Sequence, residues 1–403
     1  MRVGLDWANR RLDLEIAAEN VVAIRRDPIA PAVSDPAAAV RNALEEPIDF
    51  PPLRRALTPD DQLVVVVDER VPQLPRLLVP ILEHIRTAGV PAEAITLLCL
   101  PPSSGQPWLE DVPDEFADVR VEVHQPGDRR KLAYLAATKQ GRRVYLNRSA
   151  VDADQLIFLT RRTYDAILGY AGAEGALFPG LSDEATQQAL ATQLHAEAPG
   201  REPWAIKREA GEIAWLLGAP FFVQVIEGSG DTITHIVAGP ASSSGEAERL
   251  LDARWRLTVS EPADVVIAGL AAGKPITAKD FARAFFAASR VVKPGGRIVV
   301  LSDAAPPLGR SLKLLAQRED VIAGLQLVMK DRPADLATGF MWATAAQHAR
   351  LYLLSGLSND VAEALFTTPL TRDTETQRLL TEGSKCLSLP DAHKTLATVE
   401  AVS

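Results

Sequence analysis

Cysteine is nearly absent: Cys99 and Cys386 stand far apart in the 403-residue chain, each inside an apolar run. A disulfide framework is thereby excluded as the source of stability, and two buried free thiols are expected. No run approaches the roughly 18 apolar residues of a membrane span. The start, MRVGLDWANRRLDLEI, alternates polar and apolar residues without the apolar core of a leader peptide, so a cytoplasmic location is the expectation. A basic block is missing too. The net charge of -9 is spread along the chain, which argues against a nucleic-acid surface and against anionic lipid, and leaves small molecules or proteins as partners. Histidine is scarce, with six residues, and none pairs with another histidine or with cysteine at metal-site spacing. Present in quantity are apolar residues, 47% of the chain, enough at this length for two cores.

Short β-rich runs alternate with helical patterns: LVVVV (63–67), AITLLCL (94–100), VRVEVH (119–124), ADQLIFLT (153–160), PFFVQVIE (220–227) and THIVAG (234–239). Between the first two, LPRLLVPILEHIRTAGV has apolar residues at helical spacing and stops at Gly89, the pattern of a β-α-β crossover between parallel strands. EGSGDT reads as a hairpin turn. Beyond Glu261, ADVVIAGL (263–270), a helical AKDFARAFFAASRVV, a turn KPGG (293–296) and RIVVLSD (297–303) form a second such unit, followed by strands in RLYLLSGL and KCLSL. The expected architecture is therefore two α/β domains with mostly parallel sheets, 1–260 and 261–403, the last residues able to pack back on the first, with a cleft and hinge between. Ligands of such sheets sit at the carboxyl ends of the strands.

Several segments invite chemistry. LGYAGAEGALFPGL (168–181) carries Gly169, Gly172 and Gly175 after an apolar strand but contains no lysine, serine or histidine. Its glycines are expected to serve geometry, supplying positive φ and close backbone approach. PPSSGQP places Ser103 and Ser104 at a strand end but lacks the G-x-S-x-G of a nucleophile elbow. GLAAGKPIT fails the spacing of a phosphate-binding P-loop, so Lys274 reads as a solvated loop lysine. TRRTYD puts Arg161 and Arg162 at the end of a buried strand. Guanidinium groups bind carboxylate or phosphate bidentately, so with at least one of them facing the cleft a small anionic ligand, a hydroxy acid or a phosphate-bearing compound, is one reading, and two arginines on a solvated loop the other.

The segments DPAAAVRNALEEPIDFPPLRRAL, LVVVVDERVPQLPRLLVPILEHIRTAGVP, GYAGAEGALFPGL and GEIAWLLGAPFFVQVIEGSGDTITHIVAG resemble, in order and spacing, the nickel-dependent lactate racemase family with its LarA-like N-terminal domain. That resemblance implies a nickel pincer nucleotide in the interdomain cleft and racemisation of 2-hydroxy acids by hydride transfer. It further implies an anchoring lysine, nickel-ligating and proton-shuttling histidines, and an aspartate and arginine in a D-D-x-T-R-P loop.

Position by position, this chain departs from the pattern. Where the family has G-Y-S-G-G-x-K, Gly169, Tyr170 and Gly172 are retained but Gly175 stands at the lysine. Asp165 and Ser104 stand at the acid-base histidines, and Ala191 at a nickel ligand, with His195 four residues on as the one metal candidate. VDERVP keeps Asp68, has Val71 at the arginine and offers Arg70 one residue early. Ala282 and Phe285 replace a polar pair, and Trp342 reads either as a kept pocket position or as a core tryptophan. The reading that follows is a lactate racemase-like protein, catalytically degenerate for nickel-pincer chemistry, that binds a ligand or regulates. Asp68 and Asp165 are its catalytic candidates, and Arg70, Arg161, Arg162 and Trp342 its ligand candidates. The alternative is an active 2-hydroxyacid racemase or epimerase with a rearranged site; a third is an isomerase or lyase reusing Asp68, Asp165 and Arg161 without nickel.

Overall fold

A computed structural model describes residues 2–25, 29–101, 105–200 and 202–400; Ser103 and Ser104 lie outside them. The chain divides into two compact units, Ala30–Leu190 with Pro199–Leu251, and Met1–Ile29 with Ala191–Ala198 and Asp252–Ser403. Where the sequence suggested domains of 1–260 and 261–403, the first residues are grouped with the C-terminal part.

The unit built on Ala30–Leu190 holds a six-stranded sheet in the order Ile233–Gly239, Phe221–Glu227, Gln155–Arg161, Leu63–Val67, Ile95–Cys99, Arg120–Val123. All neighbours are parallel except the first pair, the hairpin made by EGSGDT. Leu63–Val67 is buried at every position because both faces of the sheet are covered, which is why it reads as an unbroken apolar run. Val65 and Val67 face one core with the crossover helix Leu74–Thr87; Val64 and Val66 face the other with the helix Ala205–Leu216. Along Leu74–Thr87, Leu74, Leu77, Leu78, Ile81, Leu82 and Ile85 are buried at helical spacing, and Gly89 turns the chain at φ +90.

The other unit has a five-stranded parallel sheet, ordered Thr367–Pro369, Arg350–Leu354, Val292–Leu301, Ala263–Gly269, Cys386–Pro390. The KPGG segment is no turn between elements. The strand Val292–Leu301 runs through it, and the register jumps from Ala263↔Val292 to Val265↔Arg297, so that these residues bulge out with Gly295 at φ +73. One face of this sheet, through Val265, Ile267, Val299 and Leu301, packs on the hairpin Arg2–Trp7/Arg10–Glu15. The alternate residues point the other way, to the side of the helices Ala278–Ser289 and Leu336–His348, which pack on each other and on these strands. A capping box between Thr277 and Asp280 starts the first of these helices.

Gly269 is where the hairpin crosses the sheet: a Cβ added there would lie 2.6 Å from the Asp6 carbonyl oxygen. Gly269→Ala is expected to cost about 1–3 kcal/mol by overpacking, with loss of amide protection concentrated in Arg2–Trp7. Unchanged hydrogen exchange along that strand would refute it.

Cys99 and Cys386 are buried free thiols, and burial pushes both pKa values up to about 12. Among the described residues no helix is long and apolar enough to cross a membrane.

Candidate functional site

Three strands of the six-stranded sheet end side by side, and each apolar run stops at a charged residue: Asp68 follows Leu63–Val67, and Arg161 and Glu227 close their strands. Arg161 Nε donates to Asp68 Oδ2 at 2.8 Å, and Arg161 Nη1 lies 3.6 Å from Glu227 Oε2. Asp68 Oδ1 also accepts from the Arg70 backbone N–H at 2.9 Å, which fixes the start of the following turn. Burial alone would raise the pKa of Asp68, but the Arg161 guanidinium beside it, with these N–H donors, holds it below the usual carboxylate range. Asp68 and Arg161 are among the residues singled out in the sequence and Glu227 is not, although PFFVQVIE ends on it as LVVVVD ends on its aspartate.

Arg162, expected at a ligand, is instead part of the interior. It is 1% exposed and turned into the unit's interior, where carboxylates of this chain occupy it. Successive strand residues point to opposite faces, so with Arg161 on one side its neighbour takes the other. There Nη1 and Nη2 donate to Glu174 at 2.5 and 3.1 Å, and Nη2 donates to Glu248 at 2.6 Å and to the Ser244 carbonyl at 3.3 Å. Lys207 pairs with the same Glu248, and its ammonium sits 4.9 Å from the centre of the Tyr170 ring. Burial would raise the Glu174 pKa, but the guanidinium brings it down to about 2. Burial, with Arg162 nearby, lowers that of Lys207.

This network explains the glycine segment. Its first part is a strand, Gly169–Ala171, antiparallel to Thr163–Asp165, and its middle a single helical turn, Ala173–Leu177. Asp165 closes the hairpin by accepting from the Ile167 and Leu168 N–H groups at 2.9 and 3.3 Å, so the carboxylate offered as a base serves the turn. Of the three glycines only Gly169 lies in the left-handed region, at φ +74. The other two are small because side chains press on them. A Cβ on Gly172 would meet Arg162 Nη1 at 2.5 Å, and one on Gly175 would meet Leu168 Cδ1 at 2.7 Å.

The remaining candidates are scattered. His195 Nδ1 lies 2.9 Å from Glu197 Oε1, and among the described residues no three histidine, cysteine, aspartate or glutamate side chains gather as a metal-holding group. Trp342, named as a ligand contact, is instead in the core: it is 0% exposed, its indole N–H donates to the Leu365 carbonyl, and its ring meets Phe285 edge to face at 4.9 Å. Ala282 is buried as well. His84, His124 and His348 each have a backbone partner, at the Arg54 N–H, the Ser182 carbonyl and the Val292 carbonyl. The residues present do not fit a nickel pincer nucleotide. Gly175, which the resemblance sets at the anchoring position, has no side chain and lies against Leu168, and Ala282 and Phe285, set at the polar pair, are buried in an apolar core.

Residues 7–197 match the lactate racemase N-terminal domain. In fold, the chain is similar to the lactate racemase apoprotein from Thermoanaerobacterium thermosaccharolyticum, at 16% identity and TM-score 0.80, covering 98% of this chain and 100% of that one. It is also similar to a protein from Thermotoga maritima, at 12% identity and TM-score 0.66, covering 91% and 99%. No curated protein matches the chain in sequence. Over residues 7–197 in sequence, and over nearly the whole chain in fold, the protein is lactate racemase-like.

Proposed function

We propose that this lactate racemase-like protein performs no nickel-pincer hydride transfer and acts as a ligand-binding or regulatory relative of the racemases. The observation that carries the reading is at Gly175: the position from which the resemblance calls for a lysine has none, and Leu168 lies against it. The glycine segment, emptied of its chemical group, then keeps its shape by packing on Arg162, Leu168 and Trp204.

The ligand, on this reading, is not held by the TRRTYD arginines. Two carboxylates, Asp68 and Glu227, already face Arg161, and two more, Glu174 and Glu248, occupy Arg162. An anion at either site would displace an internal partner and leave a carboxylate unpaired, at a cost of several kcal/mol where that carboxylate is buried.

The test is nickel content and intact mass of protein co-expressed with the enzymes that make the cofactor, together with interconversion of D- and L-lactate. The expected result is an unmodified mass, nickel far below one per chain, and no interconversion. Stoichiometric nickel or a covalent adduct would overturn the proposal and restore an active racemase.

A further inference from the structure

We infer that the unit containing the five-stranded sheet has its own small-molecule site, one built for a phosphate ester that also carries hydroxyl groups. The parallel strands Val292–Leu301, Arg350–Leu354 and Thr367–Pro369 end along one edge, and a cavity of about 340 Å³ opens there. Its position at the carboxyl ends of parallel strands is where α/β sheets collect their ligands, and its size is at the lower end of small-molecule pockets.

Both partners of such a ligand are supplied. Arg10 and Arg372 line the cavity and, among the described residues, neither makes an ion pair. Arg10 follows a two-residue turn from Trp7, and its guanidinium carbon lies 5.3 Å from the Trp7 ring centre, which steers the charge back over the cavity wall. Ser302, 2% exposed, and Ser355 each accept from a backbone N–H, of Ala304 and Leu357, so that their hydroxyl protons remain to be donated. Trp7 is 1% exposed, forms part of the wall, and has a buried indole N–H without an acceptor among the described residues.

Two carboxylates, Asp303 and Asp373, share the lining. They offset the two guanidinium charges, so the cavity does not favour a bare anion. They accept hydrogen bonds only, which selects a ligand with hydroxyl groups beside its charge. A phosphate monoester, with about two charges and three terminal oxygens, matches two guanidinium forks and the serine donors better than a carboxylate does.

The experiment is calorimetric titration of the whole chain with ribose 5-phosphate, inorganic phosphate and ribose, with tryptophan fluorescence in parallel. Saturable binding of ribose 5-phosphate is expected, with phosphate at least tenfold weaker and ribose unmeasured. Arg10→Ala and Arg372→Ala should each weaken it about tenfold, while Arg2→Ala, on the same hairpin, should leave it unchanged. Trp7→Phe should remove the fluorescence response and keep the fold. No saturation by ribose 5-phosphate, or wild-type affinity in both arginine variants, overturns the inference; phosphate binding as tightly as the ester would overturn the hydroxyl requirement. None of these outcomes bears on nickel chemistry, so this inference and the function proposed above fail separately.

Discussion

Arg162→Met is expected to destabilise the protein by about 3–5 kcal/mol at pH 7, the range for breaking a buried ion pair by removing one partner. Methionine fills much of the volume, so the loss is electrostatic: Glu174, nearly buried, is left without the guanidinium that neutralises it. The pH dependence identifies the cause. In the wild type the Glu174 pKa is depressed from 4.5 to about 2, equivalent to about 3 kcal/mol of stability. A depressed carboxylate contributes in full above its unfolded value and loses that contribution as the pH falls through the folded one, here the window from about 4.5 down to about 2. Without Arg162, burial becomes the leading influence on Glu174 and raises its pKa. The sign reverses, and the variant loses stability as the pH rises. The gap between wild type and variant should therefore narrow by about 2 kcal/mol between pH 7 and pH 3, measured by urea unfolding. A gap of the same size at both pH values would mean that lost packing, not the unpaired carboxylate, causes the damage.

The residues of this network show where the sequence stops being informative. The strands and the crossover were legible because their signals are local: LVVVV is a buried parallel strand and LPRLLVPILEHIRT an amphipathic helix whichever way the rest of the chain runs. Asp68 and Arg161 were legible for the same reason, as charged residues closing apolar runs. Arg162 was misread because its direction depends on partners 12 and 86 positions away, Glu174 and Glu248, and nothing in TRRTYD announces them. Asp165 was read as a candidate base when its carboxylate closes its own turn, a bond that a hairpin at 163–171 makes obvious and a loop does not. KPGG looked like a turn between elements because turn residues do not reveal whether the ladder resumes after them; here it does, after a bulge. The edge cavity escaped notice altogether. It joins residues near position 10 to others near 302, 355 and 372, and only the folded sheet makes them neighbours.

Gly172→Ala should cost nearly as much as losing Arg162 itself, and far more than Gly175→Ala. Both additions put a Cβ against a neighbouring side chain, at 2.5 Å from Arg162 Nη1 and 2.7 Å from Leu168 Cδ1. The neighbours differ in their freedom. Leu168 is met at the tip of an apolar side chain that can change rotamer, and alanine within the helix Ala173–Leu177 recovers up to about 1 kcal/mol of helix propensity, so little net change is expected. Arg162 is met along its length, with Cδ at 3.0 Å and Cζ at 3.3 Å, and is fixed by two carboxylates that cannot follow it. Moving it breaks the charge-assisted bonds that offset its burial, so a loss of about 3 kcal/mol is expected. Additivity decides the mechanism. In the Arg162→Met background the obstacle becomes a flexible thioether, and Gly172→Ala should then cost less than about 1 kcal/mol, a coupling of about 2 kcal/mol, which neighbours in one network show and independent sites do not. If the two losses simply add, Gly172 is required for its own backbone, and the glycines of this segment are not the seat of the buried arginine.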